Sequence, residues 1–452
     1  MWMGAAFVPS IGLASTDIGL VTMNKIDRRG FLKTLATGAA LLGAPALALG
    51  AARQVVVVGG GTGGVSVARA LRRADATIAV TLIEPDSDYY TCYMSNEVLG
   101  GGRSLASIRF GYAGLQADGI QVVRDRVSAI DAGARQVITA TGARLPYDRC
   151  IVSPGIDFRY ETVAGYDASV ITTIPHAWKA GEQTRLLRAQ LEAMPDGGTF
   201  ILAAPPNPYR CPPAPYERAS QVAHYFKQYK PRSKVLILDP KGSFAKQSLF
   251  IQGWRDLYGY DSGNAMIEWI GGPEQGVVQV DPVSRRVTTG FGDSYNADVL
   301  NLVPAQQAGA IAFQAGLTDA SGWCPVDPQT FESRLRPGIH VIGDACSASP
   351  LPKSGFAANS EAKQCALAVA ALLNDRPLAN PSYTNACYSI VGADYAISVL
   401  GVYRLAAGGQ QIEQVPGSGG LSRADASAEE RRRDVEYAHS WYNNFTRDLF
   451  GG

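Results

Sequence analysis

The chain has 452 residues, 46% of them hydrophobic and 18% charged, with 41 Lys and Arg against 40 Asp and Glu for a net charge of +1. That length predicts two or three domains of about 100–200 residues each, and a near-neutral balance argues against nucleic acid as a partner. Only four histidines occur, with no Cys-x-x-Cys or His-x-x-x-His pair and no Cys-x-x-Cys-His, so neither a structural zinc site nor a covalent c-type haem is expected on this chain.

At the N-terminus, Asp27-Arg28-Arg29-Gly30-Phe31-Leu32-Lys33 precedes an Ala/Gly/Leu-rich run from Thr34 to Gly50. Adjacent arginines ahead of a mildly apolar stretch form the twin-arginine export pattern. The run is shorter than the roughly 20 residues of a membrane span, and the small residues Ala48 and Gly50 predict cleavage before Ala51. Residues 1–50 therefore read as a signal region whose true start is Met23. The mature chain is expected in the periplasm, without an integral membrane span.

Gln54-Val55-Val56-Val57-Val58 reads as a buried parallel strand. A G-x-G-x-x-G turn follows at Gly59, Gly61 and Gly64. Helical spacing from Val65 to Arg73 places Val67, Ala68 and Leu71 on one side. A second apolar strand, Ile78 to Ile83, ends in Glu84. Gly59 permits the tight turn, Gly61 lets backbone approach a pyrophosphate, and Gly64 lets the helix pack on the sheet. The helix N-terminus attracts phosphate, and Glu84 can accept from ribose hydroxyls. In this strand–turn–helix–strand–acid order the motif predicts binding of the ADP half of a dinucleotide, with NAD and FAD both open.

Tyr147 to Gly155 resembles the intermediate motif that returns the chain between domains of two-dinucleotide-domain flavoproteins. Gly338-Ile339-His340-Val341-Ile342-Gly343-Asp344 resembles their second FAD fingerprint, in which the Asp holds the ribityl chain. FAD is thus the expected cofactor, with Gly343 and Asp344 joining the first turn. A second α/β unit is expected near Gly197, from the strands Thr199 to Ala203 and Lys234 to Asp239. Its turn is Ala204-Pro205-Pro206-Asn207-Pro208. Proline has no N–H to donate, so this unit is expected not to bind NAD(P)H, and electrons need another route.

Four stretches carry a further resemblance: Asp88 to Glu97, Tyr209 to Arg218, Pro352 to Ser360, and Asn385 to Ile390. The chain resembles, over residues 53–452, the flavoprotein subunit of flavocytochrome c sulfide dehydrogenase. The resemblance implies two Rossmann-like dinucleotide-binding domains in a glutathione-reductase-like flavoprotein architecture of α/β class, plus a small C-terminal α+β interface domain. The corresponding boundaries are 51–164 and 305–378 for the two parts of the FAD domain, 165–304 for the second Rossmann-like domain, and 379–452 for the C-terminal domain. It implies FAD held covalently through Cys92 and a redox disulfide between Cys211 and Cys387. On sequence alone these two read as unrelated cysteines. Hydrosulfide would open the disulfide by thiol–disulfide exchange, giving sulfane or polysulfide sulfur. Glu217 would shuttle protons, or else form an ordinary salt bridge with Arg218 or another base. Lys353 would place positive charge near the flavin. Haem would reside only on a partner, a c-type cytochrome subunit.

Cys150 and Cys365 read as core residues, and Cys324 and Cys346 have no motif role. The run Arg431-Arg432-Arg433, beside Glu429 and Glu430, reads as a solvated helix face. Tyr437, Trp441 and Tyr442 suit an interface, or a helix packed on its own core. Two other functions stay open. A sulfide:quinone oxidoreductase would need an exposed amphipathic apolar face, and the tail from Ser440 to Phe450 is short for one. A non-catalytic FAD carrier or assembly subunit would have no use for the Cys211/Cys387 pair.

Overall fold

Four consecutive valines can be accommodated only where both faces of a strand are covered, and Val55 to Val58 are each 4% exposed or less. Gln54–Val58 is the centre of a five-stranded parallel sheet. Ala79–Ile83 and Gln121–Val123 lie on one side of it, Arg149–Val152 and Ile339–Val341 on the other. The computed structural model describes residues 52–451. The export-signal reading of residues 1–50, and its cleavage point at Ala51, lie outside the described residues.

The helix after the first strand is Thr62–Ala74, and it packs on the Gly355–Leu373 helix. It begins ahead of Val65 because Gly63 and Gly64 form its first turn, where apolar spacing has nothing to register. Gly59, at φ +98°, turns the chain from strand to helix, and a Cβ on Gly64 would lie 1.8 Å from the Gly59 carbonyl oxygen.

The second sheet repeats the plan with four parallel strands, in the order Ile267–Gly271, Lys234–Asp239, Thr199–Ala203, Val299–Leu302. Each sheet carries a three-stranded antiparallel excursion, over Val127–Pro146 in the first half and Val277–Asn296 in the second. The chain then returns to the first sheet as Ile339–Val341. This is the α/β two-domain flavoprotein architecture that the sequence predicts.

A long hairpin, Ser382–Gly392 with Tyr395–Leu405, and the helix Ala428–Phe450 complete the chain. Ser427 and Glu430 start that helix with a reciprocal capping box. Its apolar side faces inward: Tyr442, Phe445, Leu449 and Phe450 are buried, and Phe450 stacks on Phe110 at 5.0 Å between ring centroids. Of the three interface aromatics, only Tyr437 is largely exposed. The solvated-face reading of Arg431 to Arg433 fails at Arg431, which is 2% exposed. Its guanidinium lies over the Tyr395 ring and donates 2.7 Å to the Arg423 carbonyl. Charge pattern along a helix cannot register a hairpin packed across it.

Overpacking a close contact costs about 1–3 kcal/mol, occasionally more. Gly64→Ala is therefore expected to lower the urea midpoint of unfolding by that amount of stability. An unchanged midpoint would show that the turn can open without cost.

Candidate functional site

A cavity of about 540 Å³ opens at the carboxyl ends of the first sheet's strands, lined among others by Gly61, Glu84, Cys92, Arg210 and Asp344. Parallel α/β sheets bind ligands at this end. The Gly59 N–H donates 3.0 Å to the Ile83 carbonyl, so the turn is tied to the neighbouring strand. Gly61 faces open space, where an added Cβ would find only Tyr89, at 3.6 Å. Glu84 is held by two backbone donors, Gly60 at 2.7 Å and Asp86 at 3.0 Å, and burial raises its carboxyl above the ordinary range.

Gly343, at φ +73°, turns the chain into Asp344. The Oδ1 of Asp344 is shielded from solvent and has no hydrogen-bond partner. Buried polar atoms are rarely left in that state, so this oxygen marks a place for a donor from a bound molecule. Burial raises its carboxyl, and the cations Arg210 and Lys353 oppose that. An acid at the end of the second strand, a glycine turn with free helix N–H groups and an unsatisfied carboxylate oxygen fit FAD, which Glu84, the turn from Gly59 to Gly64 and Asp344 would hold. Cys92 lies in the same cavity. Its carbonyl accepts from the Ser95 hydroxyl at 2.6 Å, the left-handed Met94 (φ 67°) follows two residues on, and burial pushes its thiol up.

Beside this cavity the fold brings together Cys211 and Cys387, which are remote in sequence. Cys211 sits in a proline-rich loop before the Ala214–Tyr229 helix, at φ 59°, and Cys387 lies mid-strand in the C-terminal hairpin. A left-handed non-glycine residue costs about 1–3 kcal/mol and persists where neighbours impose it. Here the Cys211 N–H donates 2.7 Å to the Lys353 carbonyl. Both cysteines are free thiols that act on each other electrostatically, and the Cys387 thiol donates to the Tyr388 carbonyl at 3.8 Å. Their proximity pushes the Cys211 thiol up and draws the Cys387 thiol down, so the two titrate as a pair.

Glu217 makes no salt bridge with Arg218. Its Oε1 accepts from the Ile390 N–H and its Oε2 from the Asn96 amide, both at 2.9 Å. Burial raises it to about 7, against those two hydrogen bonds, and the neighbouring Cys387 raises it further. Arg218, 2% exposed, instead donates to Asn96, Asn301 and the carbonyls of His176 and Ala177. Lys353 donates to the carbonyls of Asp344 (2.8 Å) and Cys346 (2.9 Å), and lies 3.8 Å over the Trp323 ring.

Arg210, Asn96 and Lys246 belong to this site and were not singled out by sequence. Arg210 and Asn96 fall inside the motif stretches, but nothing local ranks them above their neighbours. Lys246 lies in no motif at all. Cys150 and Cys365 are fully buried. Cys324 and Cys346 are buried in-register neighbours on two short parallel strands.

In the second sheet the acid equivalent in position to Glu84 is Asp239, and it is consumed inside the fold. Its Oδ2 accepts from Tyr216 at 2.6 Å and Trp269 at 3.0 Å, and its Oδ1 pairs with Lys241 at 2.6 Å. Tyr216 stacks on Phe244 at 3.6 Å.

Glu217 and the buried Glu361, which accepts 2.7 Å from the Gly343 N–H, are each raised by burial from 4.5 to about 7. Between those pH values the folded state binds more protons than the unfolded chain, so these groups lower stability as pH rises through the window. Glu217→Gln is expected to remove about half of this pair's contribution to that slope, measured by urea unfolding at pH 5 and pH 7.5. An unchanged slope would show that Glu217 is ionised across the range.

The central-region model of the sulfide dehydrogenase [flavocytochrome c] flavoprotein chain matches residues 184–304, and the flavin-binding model of flavocytochrome c sulphide dehydrogenase matches 379–450. A pyridine nucleotide-disulphide oxidoreductase model matches 53–186. The chain is 19% identical over 363 residues to the mitochondrial sulfide:quinone oxidoreductase of Mus musculus, covering 76% of this chain and 77% of that one. It is 54% identical over 46 residues to the sulfide dehydrogenase [flavocytochrome c] flavoprotein chain of Chlorobaculum thiosulfatiphilum, covering 10% of this chain and 96% of that sequence. The sulfide:quinone oxidoreductase structure from Aquifex aeolicus superposes with a TM-score of 0.66 at 18% identity, covering 89% of this chain and 93% of that one. Putidaredoxin reductase, in its covalent complex with putidaredoxin, superposes with a TM-score of 0.61 at 17% identity, covering 88% and 99%.

Proposed function

We propose that this chain is the flavoprotein of a flavocytochrome c-type sulfide dehydrogenase, which oxidises hydrosulfide at Cys211 and Cys387 and passes the electrons through FAD to a c-type cytochrome. The observation that carries this reading is the meeting of two cysteines, remote in sequence, beside a cavity that fits FAD. The family matches over 184–304 and 379–450, which contain Cys211 and Cys387, support it.

Glu84, the Gly59–Gly64 turn and Asp344 would hold the cofactor, with Cys92 as its covalent tether. FAD, when bound, would supply a group that takes two electrons from the reduced cysteine pair and can release them one at a time, which a dithiol does not do. The chain's own part is thiol–disulfide chemistry. Hydrosulfide, largely anionic near neutral pH, attacks one sulfur of the oxidised pair, leaving a persulfide on one cysteine and a thiolate on the other. Glu217, poised near pH 7 beside Cys387, takes or returns the proton as the pair changes charge. Lys353 ties the cysteine loop to the Gly-Asp turn. The proline-rich second turn and the engaged Asp239 support a second domain that serves as scaffold, not as an NADH site.

A cytochrome acceptor is supported by the inward-turned C-terminal helix, whose apolar face is spent on the fold. Among the described residues, no helix is long and apolar enough to cross a membrane. The exposed Leu400, Leu421 and Tyr437 of the C-terminal domain are interspersed with Arg423, Glu430, Arg433 and Asp434, a mixed surface that suits a protein partner better than a lipid face. The twin-arginine pattern supports a periplasmic setting.

Anaerobic addition of sulfide to the oxidised holoprotein is expected to bleach the flavin spectrum. Cys387→Ser is expected to slow that bleaching at least a hundredfold, and flavin is expected to stay attached through acid precipitation except in Cys92→Ala. Bleaching at the native rate in Cys387→Ser would reject the disulfide route. Reduction of a soluble quinone faster than of cytochrome c would reassign the acceptor.

A further inference from the structure

An anion that leaves water for a protein cavity needs a cation with donors to spare. Among the described residues, three basic side chains line the cavity: Arg126, Lys179 and Arg210. Arg126 acts on Glu84, at the end of the second strand. Lys179 is paired with Asp157 at 2.5 Å. Lys353, to which the resemblance gives the positive charge near the flavin, is already met by two carbonyls and the Trp323 ring.

Arg210 is placed differently. Its backbone N–H donates 2.9 Å to the Gln306 Oε1, and one end of its guanidinium donates to the Trp178 carbonyl. The other guanidinium donors meet no acceptor among the described residues, and the side chain forms part of the cavity wall. The titratable groups acting on it are Cys92, Asp344, Tyr89 and Cys211. It therefore stands beside both the expected tether and the first redox cysteine. Asp344 acts on it without forming a salt bridge.

The two residues that hold Arg210 show the same shortage of acceptors. Gln306, 5% exposed, gives its Oε1 to Arg210 and leaves its Nε2 without a partner. Trp178, 4% exposed, gives its carbonyl and leaves its indole Nε1 without one. Buried polar groups are rarely left unmet. Here the unmet groups on both residues are donors, and the guanidinium they hold has donors to spare, so the place is short of an acceptor with negative charge.

We propose that Arg210 is the substrate-binding residue that captures hydrosulfide from the cavity and presents it to the cysteine pair, whichever sulfur is then attacked. This rests on the sulfide-oxidation reading above. The unused N–H groups replace water around the anion with charge-assisted hydrogen bonds. Gln306 and Trp178 hold the loop and the guanidinium so that those groups stay turned to the cavity. Arg210 takes up neither electrons nor a proton, since a guanidinium stays charged throughout.

Stopped-flow bleaching of the oxidised holoprotein by sulfide tests the assignment. Arg210→Met is expected to raise the half-saturating sulfide concentration at least tenfold while the limiting rate falls less than threefold, and Arg210→Lys to recover most of the loss. Thiocyanate, as an unreactive monovalent anion, is expected to compete with sulfide in the wild type. Opening of the disulfide by a neutral phosphine, read as released thiols, is expected to proceed at the same rate in the wild type and Arg210→Met. An unchanged half-saturating concentration in Arg210→Met would overturn the proposal, as would an equal loss of rate toward the phosphine, which would mean that Arg210 only shapes the loop. Absence of thiocyanate competition in the wild type would overturn it without any variant. If sulfide fails to bleach a wild-type protein whose disulfide the phosphine opens, the sulfide reading falls, and this proposal with it.

Discussion

The Cys211 N–H donates 2.7 Å to the Lys353 carbonyl, and the Lys353 ammonium donates 2.8 Å to the Asp344 carbonyl. One residue thus joins the loop that carries the first cysteine to the turn that closes the cofactor cavity. The first is an irregular loop with Cys211 in the left-handed region, and the second is a single 3-10 turn, Gly343–Ala345, entered at the left-handed Gly343. Buried polar networks are rigid when every member is satisfied. The Lys353 head meets two carbonyls and the Trp323 ring, which leaves it little freedom. Cys387 is then brought opposite by a different device, an eleven-residue strand whose register with its neighbour is continuous through Cys387↔Val399.

The two sheets show how one plan can be used twice and committed to different ends. In the first, the acid at the end of the second strand is held only by backbone donors and faces a cavity. In the second, Asp239 is held by a tyrosine, a tryptophan and a lysine, and aromatic rings fill the adjoining space. Counting the Lys241 N–H, Asp239 accepts four bonds and has no lone pair left for a ribose, whereas Glu84 accepts two. The same topology therefore supports a binding site in one half and a packed scaffold in the other, which is why architecture alone does not identify a reaction.

Much of the first half was legible in the chain itself. A valine run, a glycine turn and a terminal acid are local features with local causes, and the strands Gln54–Val58, Thr199–Ala203 and Lys234–Asp239 fall where their apolar runs do. The Cys211–Cys387 meeting was legible only through resemblance, because no local pattern encodes a contact across so many residues. The alternative of a Glu217 pair with Arg218 is not what the fold shows. Adjacent residues on a helix point in different directions, and each side chain found its partners on other elements. Lys246 left no signal, since its hydrogen-bond partners lie on a hairpin more than a hundred residues later. Arg431 misled for a similar reason: its charge suits water, but the hairpin reaches it first.

The central claim is that Cys211 and Cys387 form a redox couple in series with the flavin, and counting electrons tests it most directly. Anaerobic titration of the oxidised holoprotein with dithionite, with thiols counted at each point, is predicted to consume about four electrons per flavin and to release two thiols, because a disulfide and a flavin each take two. Full bleaching after two electrons, with an unchanged thiol count, would contradict the account.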